Sequence, residues 1–390
     1  MARSQRITLV TSTFLPRSVG GAEIQVHLLA SFLVGQGWDV EVVTGSAVRP
    51  KDVPYRVTSL PALRVRPSLV YEPWWARRTA QKIQTAIDPS RIVHSFDVLS
   101  RGVVAELGYP RTITTIQDIS PICGTIDGLL VDGSVCTGCT AANLLQHRRL
   151  ARYHGVAWLG RVIRYWTACV LPYRRRLLTK YGAVTVLTEF LRSYLHLEAA
   201  LVIPDLVPMP SEPGLEQPPQ APTLISVGRL GFEKGTDLVI RSLAELPDFL
   251  ALLVGGGARE HCQQRARQLG VADRIEFAGA VPPAQVSAWY RRADVVVQAS
   301  RGAEASSRTI LEGMSHGKAV VGPDFGGPAE LIEDRVNGVR FARGSVPELV
   351  RAIRTAYAER ERLGAQARRT SERYQPDVVG PAYLALYEQL

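Results

Sequence analysis

Acidic side chains at a fixed spacing in the last third of the chain are the strongest chemical signal in the sequence. Glu304 and Glu312 lie eight residues apart, at the start and in the body of one predicted helix, and Glu330 follows the pair Gly326-Gly327. Side chains eight residues apart on a helix share a face and are separated by about 12 Å along its axis. This spacing suits a ligand with two hydroxyl-bearing rings, such as a sugar joined to a nucleoside. The alternative is an ordinary solvated helix face.

A basic loop between a predicted strand and a predicted helix supplies complementary chemistry. Arg229 and Lys234 lie five residues apart in LISVGRLGFEKGTD, after a strand that ends at Gly228 and before a helix that opens at Gly235-Thr236. The N-terminus of a helix directs free backbone N–H groups at anions. An arginine fork and a lysine point charge at that place suit a diphosphate.

Two glycine pairs, Gly20-Gly21 and Gly326-Gly327, precede predicted helices and offer further N-termini for phosphate, with ordinary turns as the alternative. The run 255–257 closes a strand and favours a turn. No GxGxxG follows the first strand and no Walker motif occurs, so the sequence supports neither a dehydrogenase nor a P-loop ATPase.

Strands and helices alternate twice along the chain, which predicts an α/β fold with two doubly wound parallel sheets. The expected boundaries are a first domain at 1–203, a proline-rich linker at 204–222, a second domain at 223–375 and a C-terminal helix at 376–390 that crosses back to the first domain. Ligands of such sheets bind beyond the carboxyl ends of the strands, so we expect the two domains to face one ligand across a cleft.

Composition favours a soluble globular protein, with 46% hydrophobic and 21% charged residues and no run of eighteen apolar residues. The short apolar run near the N-terminus is followed by Pro16 and Arg17 rather than by a small-residue cleavage site. We therefore predict a cytoplasmic protein, with peripheral attachment to the inner face of a membrane left open.

The possibility of peripheral membrane attachment rests on the stretch 147–180. This stretch carries nine arginine or lysine residues and no acidic residue, in a chain of net charge +10. Large apolar residues alternate with these cations, a pattern that suits an anionic membrane surface or an anionic acceptor. An amphipathic helix with solvated arginines is the equal alternative. No recognised nucleic-acid module accompanies the charge, so we expect no nucleic-acid partner.

Three cysteines, Cys123, Cys136 and Cys139, are spaced C-x12-C-x2-C. A zinc site normally needs four ligands, and the fourth would have to come from Cys169, His147 or His154. We therefore expect reduced thiols and no metal, with structural zinc as the less favoured alternative.

The sequence resembles nucleotide-sugar-dependent glycosyltransferases of the GT-B fold, retaining type, family 4. The resemblance covers nearly the whole chain and includes IVHSF at 92–96, AVTVLTEFLRSYL at 183–195 and EFAGAVPPAQVSAWYRRADVVVQAS. Its most specific part combines R-x4-K, E-x7-E and GGxxE.

This resemblance implies a role for each matching residue. Arg229 and Lys234 would hold the donor diphosphate and stabilise the leaving group, Glu304 would face the donor sugar, and Glu312 would bind the ribose. Backbone groups near Val281 would meet the nucleobase. The family's chemistry is a front-face displacement with retained anomeric configuration, which needs neither a metal nor a cofactor beyond the nucleotide sugar itself.

Further donor contacts are implied for Gly228 and, from the first domain, for Gly20 and Gly21. His94 matches a family position near the cleft on the acceptor side, although a packed strand histidine is equally expected.

The chain departs from the family at three places. Gln117 replaces the histidine of a family motif, next to Asp118 on the acceptor side, and glutamine cannot carry a proton. Ser306 and Ser307 replace residues of a glycine-phenylalanine-glycine run, which predicts a more polar sugar pocket. Arg308 occupies a usually apolar position, where it either contacts an unusual sugar or points to solvent, and we favour solvent.

The sequence thus predicts a hexosyltransferase that uses a UDP- or GDP-sugar and a hydroxyl acceptor, first of all a lipid-linked or membrane-proximal glycan. A soluble natural-product acceptor is the alternative within the enzyme class. A nucleotide-sugar-binding protein without transferase activity is the alternative outside it.

Overall fold

The structure is a computed structural model that describes residues 5–16, 20–50, 52–64, 72–123, 128–130, 132–136, 143, 146, 170–210 and 221–390. Among these residues, every helix is too short or too polar to span a lipid bilayer.

Contacts between Cα atoms divide the chain into two compact units. The first comprises the described parts of Met1–Asp132, Cys136–Leu206 and Pro376–Leu390, and the second comprises Gly133–Val135 and Val207–Gln375. The C-terminal segment therefore belongs to the first unit.

The first unit contains a parallel sheet of seven strands in the order β3-β2-β1-β4-β5-β6-β7 among the described residues. Its register pairs Ile7 of β1 with Val40 of β2 on one side and with Ile92 of β4 on the other. The strands are β1 Arg6–Thr11, β2 Asp39–Thr44, β3 Arg56–Ser59, β4 Ile92–Ser95, β5 Thr112–Ile116, β6 Ala183–Val186 and β7 Leu201–Val202.

Helices cover both faces of this sheet because successive side chains of a strand point to opposite faces. Ile7 and Leu9 share a buried cluster with Leu29, whereas Val10 shares another with Ala80. The helices of this unit are α1 Gly21–Gly35, α2 Glu72–Ile83, α3 Val98–Leu107, a helical segment at 170–178, and α4 Glu189–Tyr194, with a 3-10 turn at Pro61–Leu63.

Local chemistry fixes the ends of α3. The Asp97 carboxylate accepts hydrogen bonds from the backbone N–H groups of Leu99 and Ser100, so it caps the helix N-terminus. Gly108 ends the helix with a φ of 69°, in the left-handed region that favours glycine.

The C-terminal helix packs against the first unit through a glycine. A Cβ atom added to Gly380 would lie 2.2 Å from the Phe32 ring, so a larger residue would push this helix away from α1. The Tyr387 ring also lies 5.4 Å from the Trp38 ring.

The second unit contains a parallel sheet of six strands in the order β10-β9-β8-β11-β12-β13 among the described residues. Leu224 of the central strand packs with Leu238 on one face, and the next residue, Ile225, packs with Ile310 on the other. The strands are β8 Thr223–Val227, β9 Leu250–Val254, β10 Ile275–Gly279, β11 Val295–Val297, β12 Ala319–Pro323 and β13 Val339–Phe341.

The remaining helices are α5 Thr236–Ala244, α6 Arg259–Gln268, α7 Pro283–Arg291, α8 Arg308–Ser315, α9 Gly327–Leu331, α10 Val346–Ala358, α11 Arg360–Ser371 and, in the first unit, α12 Pro376–Glu388, with 3-10 turns at Ala272–Arg274 and Glu372–Tyr374.

The predicted α/β class with two doubly wound parallel sheets is confirmed. The prediction that Glu304 and Glu312 share one helix face is wrong. Helix α8 begins only at Arg308, because the Ser307 hydroxyl accepts the N–H of Ile310 and caps the helix there. Glu304 lies in the preceding loop.

Candidate active site

The loop between β8 and α5 begins and ends with a glycine in a backbone conformation of positive φ. Gly228 has a φ of 137°, and an added Cβ would meet nothing within 4 Å. Gly235 caps α5 with a φ of 67°, and a Cβ there would lie 1.8 Å from the Ala299 carbonyl oxygen. The first glycine is therefore required by backbone conformation, and the second also by close packing of the loop on the chain after β11.

Lys234 and Glu304 meet although they are 70 residues apart in sequence. The Lys234 ammonium donates to both oxygens of the Glu304 carboxylate, at 2.7 and 3.0 Å. The two side chains are 34% and 19% exposed, so solvent reaches both. The structure thus brings together the cation predicted to hold a diphosphate and the carboxylate predicted to face a sugar.

Arg229 has a different partner. Its Nη2 atom lies 3.1 Å from a carboxylate oxygen of Glu233, and the arginine side chain is 59% exposed. Glu233 was not among the predicted site residues, although its spacing of four residues from Arg229 is a common ion-pair spacing.

A second charged pair lies on α8. The Arg308 guanidinium is 3.7 Å from one oxygen of the Glu312 carboxylate, and the arginine side chain is only 11% exposed. The prediction that Arg308 points to solvent is therefore wrong. The Tyr290 hydroxyl donates to the other oxygen of Glu312 at 3.0 Å, a contact that the sequence analysis also missed.

A hydrogen bond joins α8 to the end of β8. The Thr309 hydroxyl donates to the Val227 carbonyl at 3.0 Å, directly before the β8–α5 loop. The Glu312 helix and the Lys234 loop are thereby held next to each other in one unit.

The two serines after Glu304 differ in their surroundings. Ser307 is buried, and its hydroxyl donates to the Gln298 side chain and accepts the N–H of Ile310. Its predicted contact with a donor sugar is wrong, because the hydroxyl is committed to the helix cap. Ser306 is partly exposed beside Glu304, so its predicted role stays open.

The pair Gly326-Gly327 supports the Glu304 loop. The Gly327 N–H donates to the Glu304 carbonyl at 2.8 Å, and a Cβ at Gly327 would lie 2.6 Å from the Ser306 Cα. The expected phosphate site at this pair is therefore wrong for Gly327, because its N–H already has a partner within the chain.

The residues of two further predicted donor contacts lie outside the β8–α5 loop and outside α8. Val281 is partly buried against the apolar cluster of α7 and α8 in the second unit. In the first unit, Gly20 and Gly21 start α1, and the Gly20 N–H donates to the Glu23 carboxylate at 3.0 Å. That carboxylate also accepts from the Thr13 hydroxyl at 2.8 Å, so the Gly20 N–H is used inside the first unit.

Gln117 and Asp118 directly follow β5, at the carboxyl end of the first sheet. The Gln117 side-chain nitrogen is buried and has no hydrogen-bond partner among the described residues. The Asp118 carboxylate accepts the N–H of Ser120 at 2.9 Å. Gln117 therefore has an unused hydrogen-bond donor, whereas Asp118 shapes the turn.

His94 does not lie on an acceptor-binding surface, so that expectation is wrong. It is fully buried, and its ring nitrogens bond to the hydroxyls of Tyr387 and Thr115 at 2.8 and 2.7 Å. Burial lowers the pKa of His94 to about 3. The side chain is therefore neutral near pH 7 and joins α12 to the sheet.

The predicted cysteine cluster lies only partly within the described residues. Cys123 is buried, Cys136 is partly exposed, and Cys139 lies outside the described residues. Within the described ranges, no group of three or more His, Cys, Asp or Glu side chains is placed to hold a metal ion.

The prediction that the basic stretch 147–180 faces a membrane or solvent is wrong at one position. Residues 147–169 lie outside the described part of the chain. Arg174 is buried and forms an ion pair with the buried Glu72 at 2.7 Å, so it does not face a membrane. Arg175 and Arg176 are exposed, and Lys180 pairs with Glu106 at 3.0 Å.

Comparison with known proteins finds a family match within the second unit. Residues 212–373 match the family described as Glycosyl transferases group 1. A D-inositol 3-phosphate glycosyltransferase of Xylanimonas cellulosilytica is 32% identical over 44% of this chain and 43% of its own length. The lipopolysaccharide core biosynthesis glycosyltransferase LpsE of Rhizobium meliloti is 31% identical over 44% of this chain and 51% of its own length.

These two alignments thus span about half of each relative. The uncharacterized glycosyltransferase MJ1607 of Methanocaldococcus jannaschii matches over a longer range, with 25% identity over 86% of this chain and 84% of that protein.

Solved structures share the fold at low sequence identity. Sucrose-phosphate synthase from Thermosynechococcus elongatus matches with a TM-score of 0.77 and 19% identity, over 99% of this chain and 98% of the other. Anabaena Alr3699/HepE in complex with UDP and glucose matches with a TM-score of 0.72 and 17% identity, over 98% and 99%.

Proposed function

We propose that this chain, which belongs to the glycosyl transferases group 1 through residues 212–373 and has a GT-B fold, transfers a hexose from a UDP- or GDP-sugar to a hydroxyl acceptor. The observation that carries this proposal is the contact between Lys234 and Glu304 at 2.7 Å.

The Lys234–Glu304 pair suits both halves of a sugar diphosphate. The ammonium can bind the diphosphate oxygens, and the carboxylate can accept hydrogen bonds from sugar hydroxyls. Because the two groups touch, the bond between sugar and phosphate would lie beside both of them. Glu312, on the neighbouring helix, would then bind the ribose.

The proposed reaction proceeds with retention at the anomeric carbon. The acceptor oxygen forms a bond to that carbon on the face from which the diphosphate leaves, and the bond between the carbon and the phosphate oxygen breaks. The acceptor proton passes to the departing diphosphate. Lys234, assisted by Arg229, stabilises the negative charge that develops on the diphosphate.

A lipid-linked or membrane-proximal glycan is the first candidate for the acceptor. The support comes from the relative that takes part in lipopolysaccharide core biosynthesis and from the exposed cations Arg175 and Arg176. A soluble acceptor is the second candidate. Attachment of the 147–180 stretch to an anionic membrane surface stays a proposal as well.

A nucleotide-sugar-binding protein without transfer is a second candidate function, favoured by one observation. Gln117 stands where the family has histidine, and its side-chain nitrogen is a buried donor with no partner among the described residues. An amide can form hydrogen bonds with a hydroxyl but cannot act as a general acid or base near pH 7.

A donor screen tests the proposal against this alternative. We expect one UDP- or GDP-sugar to raise the thermal midpoint and to be hydrolysed slowly without acceptor, because a bound donor stabilises the native state and water can replace the acceptor. The readouts are thermal shift and release of nucleoside diphosphate over common UDP-, GDP- and dTDP-sugars.

NMR of the released sugar would show whether the anomeric configuration is retained. Binding without any release would favour the binding protein, and neither binding nor release with any donor would contradict the proposed function.

A further inference from the structure

The Glu312 carboxylate is held by two side chains from different parts of the second unit. One of its oxygens accepts the Tyr290 hydroxyl at 3.0 Å, and the other lies 3.7 Å from the Arg308 guanidinium. The carboxylate itself is 23% exposed. It is therefore fixed from inside the protein while solvent still reaches it.

Tyr290 is a rigid support for this carboxylate. It is fully buried, and the His316 ring stacks on it with centroids 5.0 Å apart. His316 in turn bonds the Glu312 carbonyl at 2.7 Å and the Ser287 hydroxyl at 2.7 Å. Burial, followed by the nearby charge of Glu312, raises the pKa of Tyr290 well above its usual range. The hydroxyl therefore stays protonated and donates.

Arg308 contributes charge rather than a rigid contact. It is the first residue of α8, four positions before Glu312, so both side chains lie on one face of the helix. At 11% exposure the guanidinium has little contact with water, so the Glu312 carboxylate is its neighbouring counter-ion and is drawn toward it.

We propose that Tyr290 and Arg308 are positioning residues that hold the Glu312 carboxylate in the orientation that accepts the two neighbouring hydroxyls of the donor's ribose. This inference rests on the proposed function, since it requires a nucleotide donor. A ribose offers two adjacent O–H donors, and a carboxylate with a fixed orientation accepts both without first ordering its own side chain.

The test compares ribose with deoxyribose in each variant. Calorimetry would give the dissociation constants of UDP and GDP and of their 2′-deoxy counterparts for wild type, Tyr290→Phe, Arg308→Leu, Arg308→Lys and Glu312→Gln. Tyr357→Phe and Arg351→Leu are matched controls in the same unit. Tyr357 packs with Arg360, and Arg351 forms an ion pair with Glu348, so neither control residue is a described partner of Glu312.

We expect wild type to prefer the ribonucleotide about tenfold, as a hydrogen bond to a charged group predicts. The preference should vanish in Glu312→Gln and fall to about threefold or less in Tyr290→Phe and Arg308→Leu. Arg308→Lys should recover part of it, and both controls should keep it.

A full tenfold preference in Tyr290→Phe and Arg308→Leu would overturn the inference, even if both ligands bound more weakly in parallel, because that pattern marks a merely structural role. Equal binding of ribose and deoxyribose by wild type would overturn it too. Absence of any nucleotide binding by wild type would instead overturn the proposed function, and the inference with it.

Discussion

Replacing Lys234 with alanine is expected to lower kcat for donor turnover by about 100- to 1000-fold, the range seen when one group that stabilises developing charge is removed. The variant loses the ammonium proposed to stabilise the leaving diphosphate. It also leaves the Glu304 carboxylate, now 2.7 Å from that ammonium, without this cation. Steady-state release of nucleoside diphosphate from the preferred donor measures the effect.

Arg351→Ala is the matched control for this variant. Arg351 is 73% exposed, and its contact at 3.2 Å is with Glu348 on α10, so we expect its kcat to stay within twofold of wild type. Thermal midpoints of both variants would show whether the fold is intact. A Lys234→Ala enzyme with kcat within threefold of wild type would remove Lys234 from the catalytic role.

Replacing Arg174 with leucine is expected to lower the free energy of unfolding of the first unit by about 3–5 kcal/mol, because breaking a buried ion pair leaves one charge unpaired. The Arg174 and Glu72 side chains are 2% and 0% exposed. Arg174 also donates to the Ser120 carbonyl at 3.1 Å, so the loop after β5 loses a support. Urea unfolding followed by hydrogen exchange of peptides from β4 and β5 would report on this unit alone.

The neighbouring residue provides the control, since Arg175 is exposed and carries the same charge. We expect Arg175→Leu to change the unfolding free energy by about 0.5 kcal/mol or less. Equal effects of the two substitutions would contradict the assignment of Arg174 to the core and restore the uniform basic surface expected from the sequence.

The layout of both sheets could be predicted because it follows from local patterns. The strand predicted before the loop of Arg229 and Lys234 is observed at Thr223–Val227, since β-branched and apolar residues lie there between a proline and a glycine. The strands β3, β7 and β13 lack so clear a local pattern. They have two to four residues each, and so short a segment owes its structure to a paired neighbour rather than to its own sequence.

The start of α8 was predicted incorrectly, although the sequence carries a local signal for it. The eight-residue spacing of Glu304 and Glu312 suggested one helix, but serine at position 307 is a strong N-cap and begins the helix four residues after Glu304. The error changes the geometry of the site, because Glu304 contacts Lys234 from a loop and not from the helix face that carries Glu312.

The partners of the site residues depended on tertiary structure. The residue types at 229, 234, 304 and 312 indicated an anion and hydroxyl site, yet the contact between Lys234 and Glu304 joins segments 70 residues apart. The burial of Arg308 and its contact with Glu312 likewise depend on how Tyr290 packs against α8 and on the hydrogen bond from Thr309 of α8 to the Val227 carbonyl. Sequence spacing alone cannot distinguish a buried, paired arginine such as Arg308 from a solvated one.

The most direct test of the donor site is a crystal structure of this chain with saturating UDP or GDP. We expect diphosphate oxygens against the loop from Gly228 to Lys234, with an oxygen within about 3 Å of the Lys234 ammonium, as for a charge-assisted hydrogen bond. We also expect ribose hydroxyls on the Glu312 carboxylate. A nucleotide bound away from this loop, or bound there with its ribose turned away from Glu312, would contradict the account.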